Sequence, residues 1–111
     1  MVEGFYPTQA HYSSFVEECW KTLNYGSLII EEWDGEFTVF QPDAGKTHYL
    51  NEMSVQILIY IENNAPAALS TTDICDYLVK KFQLQTDTAF PKQINKTLRR
   101  FDELGLVKQI S

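Results

Sequence analysis

Proton-transfer chemistry near neutral pH needs a side chain that titrates there, and this 111-residue chain has two histidines to offer, His11 and His48. His48 shares strand parity with Leu50, which makes it a partly buried, hydrogen-bonded strand residue rather than a general base. His11 lies in an aromatic-rich opening segment and is expected to face solvent. No G-x-S-x-G, P-loop, H-E-x-x-H or G-x-G-x-x-G run is present, and Gly4, Gly26, Gly35, Gly45 and Gly105 read as turn or cap positions. Glu31, Glu32, Asp34 and Glu36 cluster closely enough to suggest a cation. A hard metal needs six or more oxygens converging in one loop, so a solvated run that guards a sheet edge is the better account. Cys19 and Cys75 lack C-x-x-C spacing and read as buried thiols, neither a disulfide framework nor a zinc site. These residues predict a protein that is not an enzyme and carries no cofactor or metal.

Binding chemistry is better supplied. Lys92, Asn95, Lys96, Arg99 and Arg100 fall within one predicted helix, which holds four of the nine bases in the chain. The net charge is −6, unevenly spread: residues 1–69 have two bases against ten acids, and residues 70–111 have seven against five. An acidic protein is a poor general binder of nucleic acid, because affinity there comes from neutralising phosphates and releasing counterions. The basic helix therefore favours a guest with acidic residues flanking apolar anchors. The bland alternative is a solvated helix face with i,i+4 pairs such as Arg99 to Glu103.

The elements that must hold these residues are legible in period and punctuation. Ser14 followed by Glu17 fits a capping box and predicts a short helix over 14–23, with Phe15, Cys19 and Leu23 on one side as a flap over the core. From residue 27 the period is two. Leu28, Ile29, Ile30 and Trp33, an Asp34-Gly35 turn, and the run from Glu36 to Gln41 predict a hairpin. Pro42 to Gly45 makes a second turn leading into a strand from Lys46 to Leu50. Phe37 and Val39 share one face of this sheet, Thr38 and Phe40 the other. Aromatics on both faces predict that each is at least partly covered. Trp20 and Trp33 are read as core or sheet-face aromatics. Asn51 caps a first helix with Val55, Leu58, Ile59 and Ile61 inward, ending at Asn63, Asn64 and Pro66. A second helix starts after Ser70 or Thr71, with Ile74, Cys75, Leu78 and Phe82 inward. A third carries Pro91 in its first turn and runs to Gly105, with Ile94, Leu98, Phe101 and Leu104 inward. Leu106, Val107 and Ile110 make a terminal strand or apolar tail. The fold class is α+β, a winged helix-turn-helix of order βββααα whose three-stranded antiparallel sheet packs on three helices. Residues 1–19 are read as an extension and 20–111 as the domain. A chain this long buries roughly 65% of its unfolded surface and needs no staple. No apolar run long enough to span a membrane and no secretory signal is visible, so a cytoplasmic protein away from membranes is expected.

Trp20, Leu28, Trp33, Val39, Pro42, Gly45, the Thr47-His48-Tyr49-Leu50-Asn51 segment, Ile57 and Leu58, and the closing Leu104-Gly105-Leu106-Val107 follow one another in an order that resembles the PqqD-like peptide chaperones, in the branch of the HPr-kinase-related A system. The likeness covers about residues 20–110. It implies a recognition element of the kind used for ribosomally made, modified peptides (a RiPP recognition element). In that family a precursor or leader peptide is understood to pair with the outer strand of the sheet and to lie between it and the third helix. The resemblance places the corresponding site at Lys46, Thr47, His48 and Tyr49 on the strand and at Lys92, Asn95, Lys96, Arg99 and Arg100 on the helix. It implies presentation of the peptide to a modifying enzyme.

Two other classes compete. A winged helix could set its third helix in a DNA major groove, with Gln93 reading adenine, but the acidic wing would repel the phosphates it should grip. An adaptor subunit would dock directly on a kinase-like partner without a leader peptide. An exposed edge strand is also a route to self-pairing, so a homodimer is among the states the sequence allows.

Overall fold

A computed structural model describes residues 18–22 and 27–110 of the protein. The readings of Gly4, His11, Gly26 and the Ser14–Glu17 capping box lie outside the described residues.

The hairpin forms as its turn chemistry demands. Strands β2 (Ile29–Trp33) and β3 (Glu36–Gln41) pair antiparallel through Asp34 at φ 55° and Gly35 at φ 82°, the two positive angles of a type I′ turn. The Pro42–Gly45 turn closes with Gly45 N–H donating to Pro42 O at 3.1 Å and delivers β4 (Lys46–Leu50) antiparallel to β3. Strand β3 is therefore central, and β2 and β4 are the edges. The register sets Ile30, Val39 and His48 side by side, and Phe37 opposite Leu50. This is the inner face, and Val39 on it is fully buried.

The outer face carries Ile29, Phe40, Trp33 and Tyr49, all exposed, with Trp33 at 83% and Tyr49 at 77%. The expectation that both faces are covered is corrected: among the described residues nothing is packed over the outer one. Aromatic residues are enriched in strands for their fit to a pleated surface, so their presence alone does not report a cover.

Three helices follow. Helix α1 (Glu52–Asn63) starts where Asn51 Oδ1 accepts the Ser54 N–H at 2.8 Å, and it buries Val55, Ile57, Leu58 and Ile61. Helix α2 (Thr71–Phe82) opens on a reciprocal box, Ser70 Oγ accepting from Asp73 N–H at 3.0 Å and Asp73 Oδ2 accepting from Ser70 N–H at 3.3 Å. Helix α3 (Ala89–Glu103) buries Ile94, Leu98 and Phe101 and leaves Leu104 half-buried just beyond its end.

A second antiparallel sheet was not expected. Strand β1 (Cys19–Thr22) runs between β5 (Leu69–Ser70) and β6 (Val107–Gln109). This corrects the reading of 14–23 as a helix where it reaches Cys19–Thr22. The alternation is of period two, Trp20 and Thr22 being buried and Cys19 and Lys21 half-buried. Its pairing partners lie at the far end of the sequence, with Trp20 beside Leu69 and Gln109. The body also begins earlier than residue 20: Glu18 O accepts from Thr71 N–H at 3.0 Å and Cys19 O from Ile110 N–H at 2.8 Å. The observed order is β1β2β3β4α1β5α2α3β6 rather than βββααα alone.

Trp20, Val39, Leu58, Ile74, Leu98, Phe101 and Leu106 are central members of one core that joins both sheets to the helices. Cys75 is buried and Cys19 half-buried, each as a thiol. No described helix is long and apolar enough to cross a membrane.

Candidate functional site

The outer edge of β4 and the flank of α3 enclose a groove of about 870 Å³. Its strand wall is Thr47, His48 and Tyr49, and its helix wall Lys96, Arg99 and Arg100. Leu50, Phe101 and Leu104 give it an apolar lining, with Ser54 contributed by α1 and Thr97 and Glu103 by α3. The helix presents cations because Ile94, Leu98 and Phe101 face the core, which turns the residues between them outward. The strand presents backbone, since no described strand pairs with its outer edge.

Of the nine residues proposed as a site, Thr47, His48, Tyr49, Lys96, Arg99 and Arg100 are brought together here. Lys46, Lys92 and Asn95 are not among the residues that line the groove. Lys46 is exposed at the start of β4 and Lys92 is exposed in the first turn of α3. Asn95 is drawn into the body: its Oδ1 accepts from Thr71 Oγ1 at 2.6 Å, and Thr71 Oγ1 in turn accepts from the fully buried Trp20 Nε1–H at 3.0 Å. Strand β1, helix α2 and helix α3 are tied through that hydroxyl.

The two arginines are partly engaged. Arg99 Nη2 meets both carboxylate oxygens of Glu18, at 2.6 and 3.1 Å, and Arg100 Nη1 meets Glu103 at 3.2 Å. The expected Arg99 to Glu103 pairing is corrected, since Arg99 turns to a residue 81 positions away. The arginine side chains are 60% and 67% exposed, so each pair contributes at most about 1 kcal/mol and leaves its cation accessible to a guest. Lys96 forms no ion pair with a described residue.

His48 is held from behind. Gln41 is buried, and its Nε2 donates to Gly105 O at 3.1 Å, which turns its Oε1 toward His48 Nε2 at 3.0 Å. An amide oxygen can only accept, so His48 Nε2 carries the hydrogen and, in the neutral ring, Nδ1 is the acceptor. Burial, with Lys46 and then Arg100 adding positive charge, lowers the His48 pKa below its ordinary 6.5. The ring is accordingly neutral at pH 7. The groove can thus do three things: pair main chain along β4, seat apolar side chains, and attract carboxylates along α3.

The apolar lining of Leu50, Phe101 and Leu104 is what the sequence does not announce, since helical periodicity assigns Phe101 and Leu104 to the core and strand parity gives Leu50 no part in a site. Leu104, four residues on from Arg100, does carry a signal, because i and i+4 share a helix face. Glu18 and Gln41 have no local signal, because each acts through a partner distant in sequence. Among the described residues no three His, Cys, Asp or Glu side chains converge as metal ligands. The hairpin acids Glu31, Glu32, Asp34 and Glu36 are all exposed. Comparison of the chain with protein-family models, with curated proteins and with solved structures finds no match.

Proposed function

We propose that the protein is a non-catalytic, cytoplasmic peptide carrier that takes an extended precursor or leader segment by strand addition along β4 and presents it to a modifying enzyme. The observation that carries this reading is the groove itself, with an open strand edge on one side and Lys96, Arg99 and Arg100 on the other. An extended guest gains main-chain hydrogen bonds from such an edge, while alternate side chains enter the flanking pockets and set specificity. Leu50, Phe101 and Leu104 suit apolar anchors, and the cations suit carboxylates beside them. In this reading the β2–β3–β4 sheet is the wing of a winged helix-turn-helix placed ahead of its helices, as the PqqD-like resemblance implies.

A DNA-binding role fits less well. The hairpin would bring the exposed Glu31, Glu32, Asp34 and Glu36 toward the phosphates. A direct adaptor role for a kinase-like enzyme shares the same open edge, and a peptide guest is what separates the two.

Selection from a random peptide library displayed on phage tests the proposal and needs no named guest. The expected winners are extended sequences with Asp or Glu next to apolar residues. Their amide-shift footprint should fall on Thr47, Tyr49, Lys96 and Arg100. Tyr49→Pro and the pair Lys96→Glu with Arg99→Gln should each weaken them at least tenfold with the fold intact. Winners that bind both variants as well as the parent, or a selection that returns none, overturn strand addition at this site.

A further inference from the structure

A strand that joins a sheet takes on the parity of the strand it pairs with, because side chains of directly opposed residues stand on the same face. A peptide residue opposite His48 or Leu50 therefore points to the inner face, and one opposite Thr47 or Tyr49 to the outer. The two sides of the β4 edge offer different chemistry. On the inner side Leu50 shares the groove with Phe101 and Leu104, and His48 has Lys46 and Arg100 near enough for both to disfavour a positive charge on its ring. On the outer side Tyr49 is 77% exposed, and its partner on β3 is Thr38, too small to cover an aromatic ring. Toward the open edge that ring faces no described strand.

We infer that the guest is read as a three-residue code by His48, Tyr49 and Leu50: a carboxylate opposite His48, an aromatic ring opposite Tyr49 and an aliphatic side chain opposite Leu50. This rests on the reading of the groove as a strand-addition site and names the class of peptide it takes, acid–aromatic–aliphatic along one chain direction. Charge sets the first position, since Lys46 and Arg100 favour an anion there. The carboxylate that Arg100 already meets, Glu103, is 68% exposed, so its exchange for one from the guest costs little. Burial sets the third position, where an aliphatic side chain leaves water for the lining of Leu50, Phe101 and Leu104. Cross-strand packing sets the middle one. Aromatic pairs directly opposite each other across two strands are favourable, and β3 gives Tyr49 no such partner. The guest thus uses both faces of the sheet, with its ring outside and its acid and aliphatic residue two positions apart inside.

Parallel selections of a random linear peptide library on phage test the code, with the full chain, Tyr49→Thr and Tyr49→Phe as baits. Threonine keeps the strand propensity of an exposed position, so the fold should persist, and phenylalanine keeps the ring. Winners on the parent should share the acid–aromatic–aliphatic triplet. On Tyr49→Thr the aromatic preference should vanish while the acid and the aliphatic residue stay two apart, and Tyr49→Phe should restore it. In a synthetic copy of one parent winner, serine in place of the aromatic residue should lower affinity about fivefold on the parent and less than twofold on Tyr49→Thr. An aromatic preference that survives Tyr49→Thr, or winners whose acid and aliphatic residue are neighbours, overturns the code. Winners that shift the amides of Thr47 and Tyr49 without carrying the triplet sink the code and leave strand addition standing. If no winner maps to β4, both fall.

Discussion

Thr71→Val removes one oxygen from the molecule and keeps its shape, which isolates the hydroxyl that links β1, α2 and α3. Thr71 is 5% exposed, and its Oγ1 accepts from Trp20 Nε1–H at 3.0 Å and donates to Asn95 Oδ1 at 2.6 Å. Valine leaves the indole N–H fully buried with no acceptor in its place, a loss of about 1–3 kcal/mol. Asn95 is only half-buried and can turn to water, so it adds little, and the expected total is about 2 kcal/mol. With a urea slope of about 1.5 kcal/mol/M, the unfolding midpoint should fall by about 1.3 M while the slope stays constant. Equilibrium unfolding followed by far-ultraviolet circular dichroism measures both. Repeating the substitution in the Trp20→Phe background should cost about 1 kcal/mol less, because the donor is already gone. A midpoint shift below about 0.3 M, or strict additivity in the cycle, refutes the claim that this hydroxyl ties the two layers.

Asn95→Ala should lower stability by about 1 kcal/mol and leave the affinity of a groove-bound peptide within a factor of two, as read by urea unfolding and peptide titration. Gly105→Ala should destabilise more than Gly35→Ala. Both positions have positive φ, but an added Cβ at Gly105 meets Gln41 Nε2 at 3.3 Å and disturbs the bond to His48, whereas at Gly35 it meets nothing within 4 Å; thermal unfolding of the pair decides. The His48 pKa is lowered in the fold, so between its ordinary 6.5 and the folded value the unfolded chain binds more protons than the native one. Stability should therefore be full above about pH 6.5 and fall as pH drops through that window, a component that His48→Gln abolishes. An imidazole titration by NMR with a His48 midpoint at or above 6.5 contradicts this.

Local chemistry makes much of the fold readable from sequence. Asp34-Gly35, Asn51 and Ser70 each act within four residues of themselves, through a turn or a cap, and each stands where its type predicts. Strand β1 is illegible for the opposite reason. Four residues that pair with Leu69 and Gln109 take their conformation from distant partners, and the Ser14–Glu17 pattern beside them points to a helix. The same division runs through the site. Lys96, Arg99 and Arg100 are visible as the outward side of an amphipathic helix. The capture of Asn95 by Thr71 and of Arg99 by Glu18 depends on how layers stack, which periodicity does not encode. Trp33 shows the limit of composition: a large ring in a small chain suggests burial, and here it stands 83% exposed on the hairpin.

The two rims of the β2–β3–β4 sheet are guarded unequally. Strand β2 carries Glu31 and Glu32, and β4 carries a single charge, Lys46. Near neutrality the paired glutamates on neighbouring molecules repel one another and discourage rim-to-rim stacking. Acidification brings the protein as a whole toward its isoelectric point of about 4.7, where net charge no longer keeps molecules apart, so colloidal solubility falls in a mildly acidic buffer.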